Sequence, residues 1–122
     1  MKGETFSLSA RLNSFRFAIK GVITFFQQEH NAWIHLVATL AVLLGSVYFS
    51  ITGFELIALI IVTGLVWIAE MFNTVIEHIM DLISPEYHQK VAFIKDLSAA
   101  AVLVSAILAA VTGLIVFLPK II

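Results

Sequence analysis

The stretch Glu70-Met71-Phe72-Asn73-Thr74-Val75-Ile76-Glu77-His78-Ile79-Met80 continues the apolar run from Phe54 to Ala69 and puts two carboxylates and an amide into a segment of membrane length. A carboxylate near hydrocarbon costs a few kcal/mol or more, so such groups face a wet cavity, a metal or a partner charge. Glu70, Asn73, Thr74 and Glu77 recur at steps of three and four. On a helix of 3.6 residues per turn these positions form one stripe. The segment predicts a helix with a polar seam.

The rest of the chain predicts a lipid environment for that helix. Of 122 residues, 61% are hydrophobic and only 12% charged, with a mean hydropathy of +1.04, far from the soluble average. Three segments, 33–51, 54–80 and 97–118, are long enough to cross about 30 Å of hydrocarbon. The expected fold is an all-α membrane protein, one domain over 1–122. Cysteine is absent, which excludes disulfides and thiolate metal sites. Arg11, Arg16 and Lys20 interrupt any apolar leader, so no cleaved signal peptide is expected. The net charge of −1 suggests no nucleic-acid partner. Lys2, Arg11, Arg16, Lys20, Lys90 and Lys95 fall on one side of a three-span topology and only Lys120 on the other. The positive-inside rule then puts the N-terminus and the 81–96 segment in the cytoplasm.

Residues 1–7 read as a short disordered lead. From Leu8 to Glu29 the apolar positions Leu12, Phe15, Ile19, Val22, Ile23 and Phe26 oppose Arg16, Lys20, Thr24 and Gln27. This pattern predicts an amphipathic helix lying on the cytoplasmic leaflet. Glu29, His30 and Asn31 mark the bend into the first span. A tight turn at Ser50 to Gly53 follows it, and Ser84-Pro85 opens the one sizeable cytoplasmic loop, Asp81 to Asp96. The third span, rich in Ala and Ser with Gly113, reads as a helix for close packing.

With this topology Glu77 lies near the cytoplasmic surface and Glu70 about 10 Å deeper. Glu29 enters the first span, and Lys95 and Asp96 begin the third, in the same layer. Glu29 and Glu77 suit a hard divalent cation, since Mg²⁺ takes one or two carboxylates together with phosphates and waters. Glu70 suits a general base at the lipid interface, and Lys95 a polyphosphate. Interhelical ion pairs that only fix a bundle are the simpler reading for Lys95 with Asp96. For Glu70, Asn73 and Glu77 together, function is the better reading. His35 and His78 read as packing or interfacial residues, without metal-ligand spacing. Trp33, Tyr48, Phe49 and Trp67 read as anchors or packing groups. Tyr87 and His88 could touch a base, against a default of simple solvation. Walker A, kinase Gly-rich loop and nucleophile elbow are all absent from the sequence.

These residues resemble a known family. Glu70 to Glu77, then Asp81-Leu82-Ile83-Ser84-Pro85-Glu86-Tyr87-His88, then Lys95-Asp96-Leu97-Ser98, with Ser14-Phe15, Ala18, Gly21 and Glu29-His30-Asn31 upstream, are similar to the small bacterial integral-membrane diacylglycerol and undecaprenol kinases. The resemblance implies a homotrimer of three-span subunits in the bacterial cytoplasmic membrane. It implies transfer of the ATP γ-phosphate to a lipid hydroxyl at a cytoplasmic site shared between neighbouring subunits. In that reading Glu70 is the base, Glu29 and Glu77 carry Mg²⁺, Asn73 supports the lipid hydroxyl or the metal, and Thr74 joins Glu70 and Asn73 at the substrate. Lys95, Asp96, Tyr87, His88 and Phe17 serve the nucleotide with Glu29 and Glu77. His30, Ala32 and Trp33 stand where relatives often carry basic residues. The short Glu86-Tyr87-His88 segment resembles the branch associated with undecaprenol, and both lipids stay open.

Two other classes compete. A proton- or cation-coupled transporter would use the same seam as a pathway, but it needs polar groups at full depth, and Phe54 to Ala69 offers only Glu55, Thr63 and Gly64. A non-catalytic adaptor leaves the seam without a purpose.

Overall fold

The computed structural model describes residues 5–122, all helical outside short connections. The expected lead at 1–7 falls partly, and Lys2 wholly, outside the described residues. Four helices follow in order: α1 Leu8–Gln28, α2 His30–Tyr48, α3 Gly53–Ile83 and α4 Gln89–Ile121. The last three are each long and apolar enough to cross a membrane.

Local chemistry sets each boundary. Ser7 caps α1, its Oγ accepting from the Ala10 amide at 3.3 Å. Glu29 alone separates α1 from α2, with extended backbone (φ −114°, ψ 116°) and its amide donating to the Phe25 carbonyl. The bend expected near Asn31 thus sits on one residue, the glutamate itself. In the turn after α2, Ser50 (φ 53°) and Gly53 (φ 65°) both take left-handed backbone, which glycine adopts without steric cost and serine does not. α3 stops at Ser84-Pro85, because proline disfavours helical backbone at the residue before it.

The expected loop from Asp81 to Asp96 is mostly helix. Only residues 84–88 are irregular, and His88 restarts the chain as the N-cap of α4, its Nδ1 accepting from the Lys90 amide at 3.1 Å. The apolar span beginning at Leu97 therefore carries about two turns of helix on its N-terminal end. Those turns hold Lys95 and Asp96 in fixed register with the span.

α3 and α4 make the most extensive contact, and α2 packs on α3. The buried apolar core lies at the Ile51 end, where Ile51, Leu59 and Val116 meet with Val42, Phe49, Leu56 and Phe117 around them. Gly45 permits the closest approach: a Cβ there would stand 3.2 Å from the Phe117 ring. At the same end Lys120 lies 3.9 Å from Glu55 in the first turn of α3. The opposite end is joined by aromatic rings. Phe26 packs edge-on against Trp33 at 5.3 Å and tilted against Trp67 at 5.6 Å, and the Trp33 indole donates to the Phe26 carbonyl at 2.9 Å. Trp33 and Trp67 thus hold the end of α1 onto α2 and α3.

Candidate functional site

Glu70 is the most completely buried large side chain among the described residues, at 2% exposure. Its partners come from α2. Asn31 Nδ2 donates to Oε1 at 3.3 Å, and His35 Nε2 lies 3.2 Å from Oε2. Asn31 and His35 are four residues apart, so one face of α2 presents both to the same carboxylate. His35, read as a packing or interfacial residue, packs on Trp67 and also partners Glu70, and Asn31 has more than a place in the bend. The signal was the Asn31/His35 spacing opposite an intramembrane glutamate. A search for ligand motifs within one helix passes over a pair whose target sits on another.

One turn along α3, Asn73 is buried and its Oδ1 accepts from Ser98 Oγ at 2.8 Å. Ser98 belongs to the small-residue helix read as packing only, and it is also a hydrogen-bond donor in the seam. Thr74 Oγ1 is buried without a hydrogen-bond partner. An unpaired buried hydroxyl carries the desolvation cost of its lost water contacts, so this atom suits a ligand group.

The charged layer lies nearer the end of α3. Glu29 Oε1 faces His78 Nε2 at 3.7 Å, which brings the α1–α2 junction beside the residue that follows Glu77. Lys95 Nζ donates to Asp81 Oδ1 at 2.6 Å, and Glu77 is close enough for its charge to act on the same ammonium. The pair that adjacency suggests, Lys95 with Asp96, is replaced by Lys95 with Asp81. Successive residues on a helix point about 100° apart, and Asp96 is exposed. Tyr87 is also exposed, whereas His88 is occupied as a helix cap. No three acidic or histidine side chains gather into a metal cage among the described residues. Glu29 and Glu77 are nonetheless carboxylate oxygen donors of the kind Mg²⁺ takes together with phosphate.

Between α1 and α3 runs an open groove of ≈ 810 Å³. Phe17, Gly21 and Phe25 form one wall, Val75, Ile79 and Leu82 the other. Thr74, Glu29 and His78 also line it, so an apolar trough ends in a polar patch. Phe17, expected at the nucleotide, stands in the apolar part. At the α1–α2 junction His30 is exposed, Ala32 is fully buried and Trp33 is committed to α1.

Comparison with known proteins identifies the family. A family model described as prokaryotic diacylglycerol kinase matches residues 16–117. The undecaprenol kinase of Bacillus subtilis is 33% identical over 113 residues, covering 93% of this chain and 92% of its own. The diacylglycerol kinase of Synechocystis is 34% identical over 109 residues, 88% of this chain and 62% of its own. That of Escherichia coli K12 is 36% identical over 88 residues, 66% of this chain and 72% of its own. The chain belongs to the prokaryotic diacylglycerol kinase family.

Proposed function

We propose that this membrane lipid kinase phosphorylates the hydroxyl of a polyprenol such as undecaprenol, with Glu70 as the general base. The observation that carries the base assignment is the Glu70 carboxylate itself, buried in a span, fixed at both oxygens and one helical turn from the unpaired Thr74 hydroxyl. A carboxylate is too expensive at that depth to serve only as interhelical glue. The groove between α1 and α3 suits the hydrocarbon tail of the lipid, and its polar end suits the reacting alcohol. Undecaprenol is favoured over diacylglycerol because the undecaprenol kinase relative matches over nearly the whole of both chains.

In this reading Glu70 takes the hydroxyl proton while the alcohol oxygen attacks the γ-phosphorus in line and the bond to the ADP leaving group breaks. Asn73 and Thr74 hold the hydroxyl. Glu29 and Glu77 would hold Mg²⁺, which when bound offsets phosphate charge. Lys95 contributes a point charge toward the phosphates, with Asp96, Tyr87 and His88 as further nucleotide contacts, while Phe17 lines the apolar groove given to the lipid tail. The site faces the cytoplasm in the bacterial inner membrane, supported by the six-to-one Lys and Arg bias, and α1 lies on that leaflet as an amphipathic helix. A homotrimer completes the site, supported by the breadth of exposed apolar surface on all three spans and by the open trough along Ala69, Ala100, Ala101 and Ser105, shallow enough for a neighbouring helix.

Purified protein in bilayer-like detergent, given labelled ATP and separate panels of undecaprenol and diacylglycerol, should transfer label to lipid, fastest to undecaprenol. Transfer only to diacylglycerol would reassign the lipid. Transfer to no lipid alcohol would overturn the reading.

A further inference from the structure

We propose that His35, together with Asn31 one turn before it, is a positioning residue of the kinase, whose donated hydrogen bonds hold the Glu70 carboxylate aimed for proton abstraction. The inference rests on the reading of Glu70 as the base.

Each Glu70 oxygen receives one partner from α2, Asn31 Nδ2 at 3.3 Å and His35 Nε2 at 3.2 Å. A carboxylate that is to take a proton accepts hydrogen bonds, so with Glu70 as the base His35 donates to it from Nε2. Each oxygen offers two acceptor sites, and one donor apiece leaves acceptor capacity for a lipid hydroxyl. A glutamate has three rotatable side-chain bonds. Tying both oxygens to one rigid helix removes most of that freedom before substrate arrives, the form of preorganisation on which catalysis depends.

Glu29, the carboxylate assigned to the metal side, is the N-cap residue of the same helix. Within two turns α2 therefore carries a phosphate-side group and both donors to the base, which fixes the spacing between them. His35 does not hold α2 to α3 by itself. Thr39, one turn deeper, accepts from the Trp67 indole at 2.8 Å, and the His35 ring packs edge-on to Trp67 at 6.0 Å. Among the described residues Glu70 is the only charged side chain within ion-pairing distance of His35. Its donor therefore has one target, the carboxylate.

A double-mutant cycle on the full-length protein tests this, comparing His35→Leu, Glu70→Gln and the combination, with kcat and KM for ATP and lipid measured on folded protein. His35→Leu should lower kcat by about 10- to 100-fold, the scale of a hydrogen bond to a charged group, with KM for ATP unchanged. His35→Gln, which offers an amide donor to the same oxygen, should recover most of kcat. In the Glu70→Gln background, His35→Leu should cost nothing further. Wild-type kcat in His35→Leu, or an equal loss in both backgrounds, would overturn the positioning role while leaving Glu70 as the base. Full activity in Glu70→Gln would instead overturn the base assignment. If His35→Leu does not fold, Asn31→Ala removes the other donor at the exposed end of α2 and is read through the same cycle.

Discussion

The two halves of α3 are held by different forces. From Gly53 to Val66 its buried positions, Leu59 and Val66, are apolar, and Leu59 packs with Ile51 and Val116. From Ala69 to Ile83 its buried positions are Glu70 and Asn73, held by Asn31, His35 and Ser98. In hydrocarbon an apolar contact gains packing but little hydrophobic free energy, because lipid tails are as apolar as leucine. In the proposed reading the expensive groups of the second half carry the chemistry, and the buried positions of the first half carry packing.

If that division holds, substitutions in the two halves should fail in different ways. The largest effect belongs to Glu70→Gln, expected to lower kcat by about 10²- to 10⁴-fold, the usual contribution of a general base. Glu77→Gln should weaken MgATP binding by roughly 10- to 100-fold, the scale seen when a group supporting a bound metal is lost. Titrating Mg²⁺ in a steady-state assay checks this, since excess metal should recover part of the loss. Leu59→Ala in the apolar half should leave kcat per folded molecule at the wild-type value. It should lower stability in detergent by about 1–3 kcal/mol, below the usual cost of such a cavity because the lost energy is packing rather than transfer from water. Ser98→Ala should cost the least, about 0.6 kcal/mol in the same unfolding assay, the average for an interhelical hydrogen bond in a membrane. A fall in kcat with Leu59→Ala as large as with Glu70→Gln would erase the distinction between the halves.

Much of this was legible in the sequence because it depends on local periodicity. The three spans, the seam on α3, the break at Ser84-Pro85 and the charge bias follow from spacing and composition within one segment. The partners of Glu70 were not legible. Asn31 and His35 reach it across 39 and 35 residues, and which face of α2 meets α3 is a property of packing. Lys95 likewise pairs with Asp81 rather than its neighbour because a helix separates adjacent side chains. The helical turns before Leu97 were obscured by the charges at Lys90, Lys95 and Asp96. Those charges end the membrane-length pattern without ending the helix.

The most direct test of the account is a single-turnover measurement on folded Glu70→Gln protein, with equilibrium binding of MgATP measured on the same sample. The account predicts that the nucleotide binds with wild-type affinity and that transfer of its labelled γ-phosphate to lipid slows by at least about 100-fold. Transfer at the wild-type rate, or loss of nucleotide binding in place of loss of transfer, would contradict it.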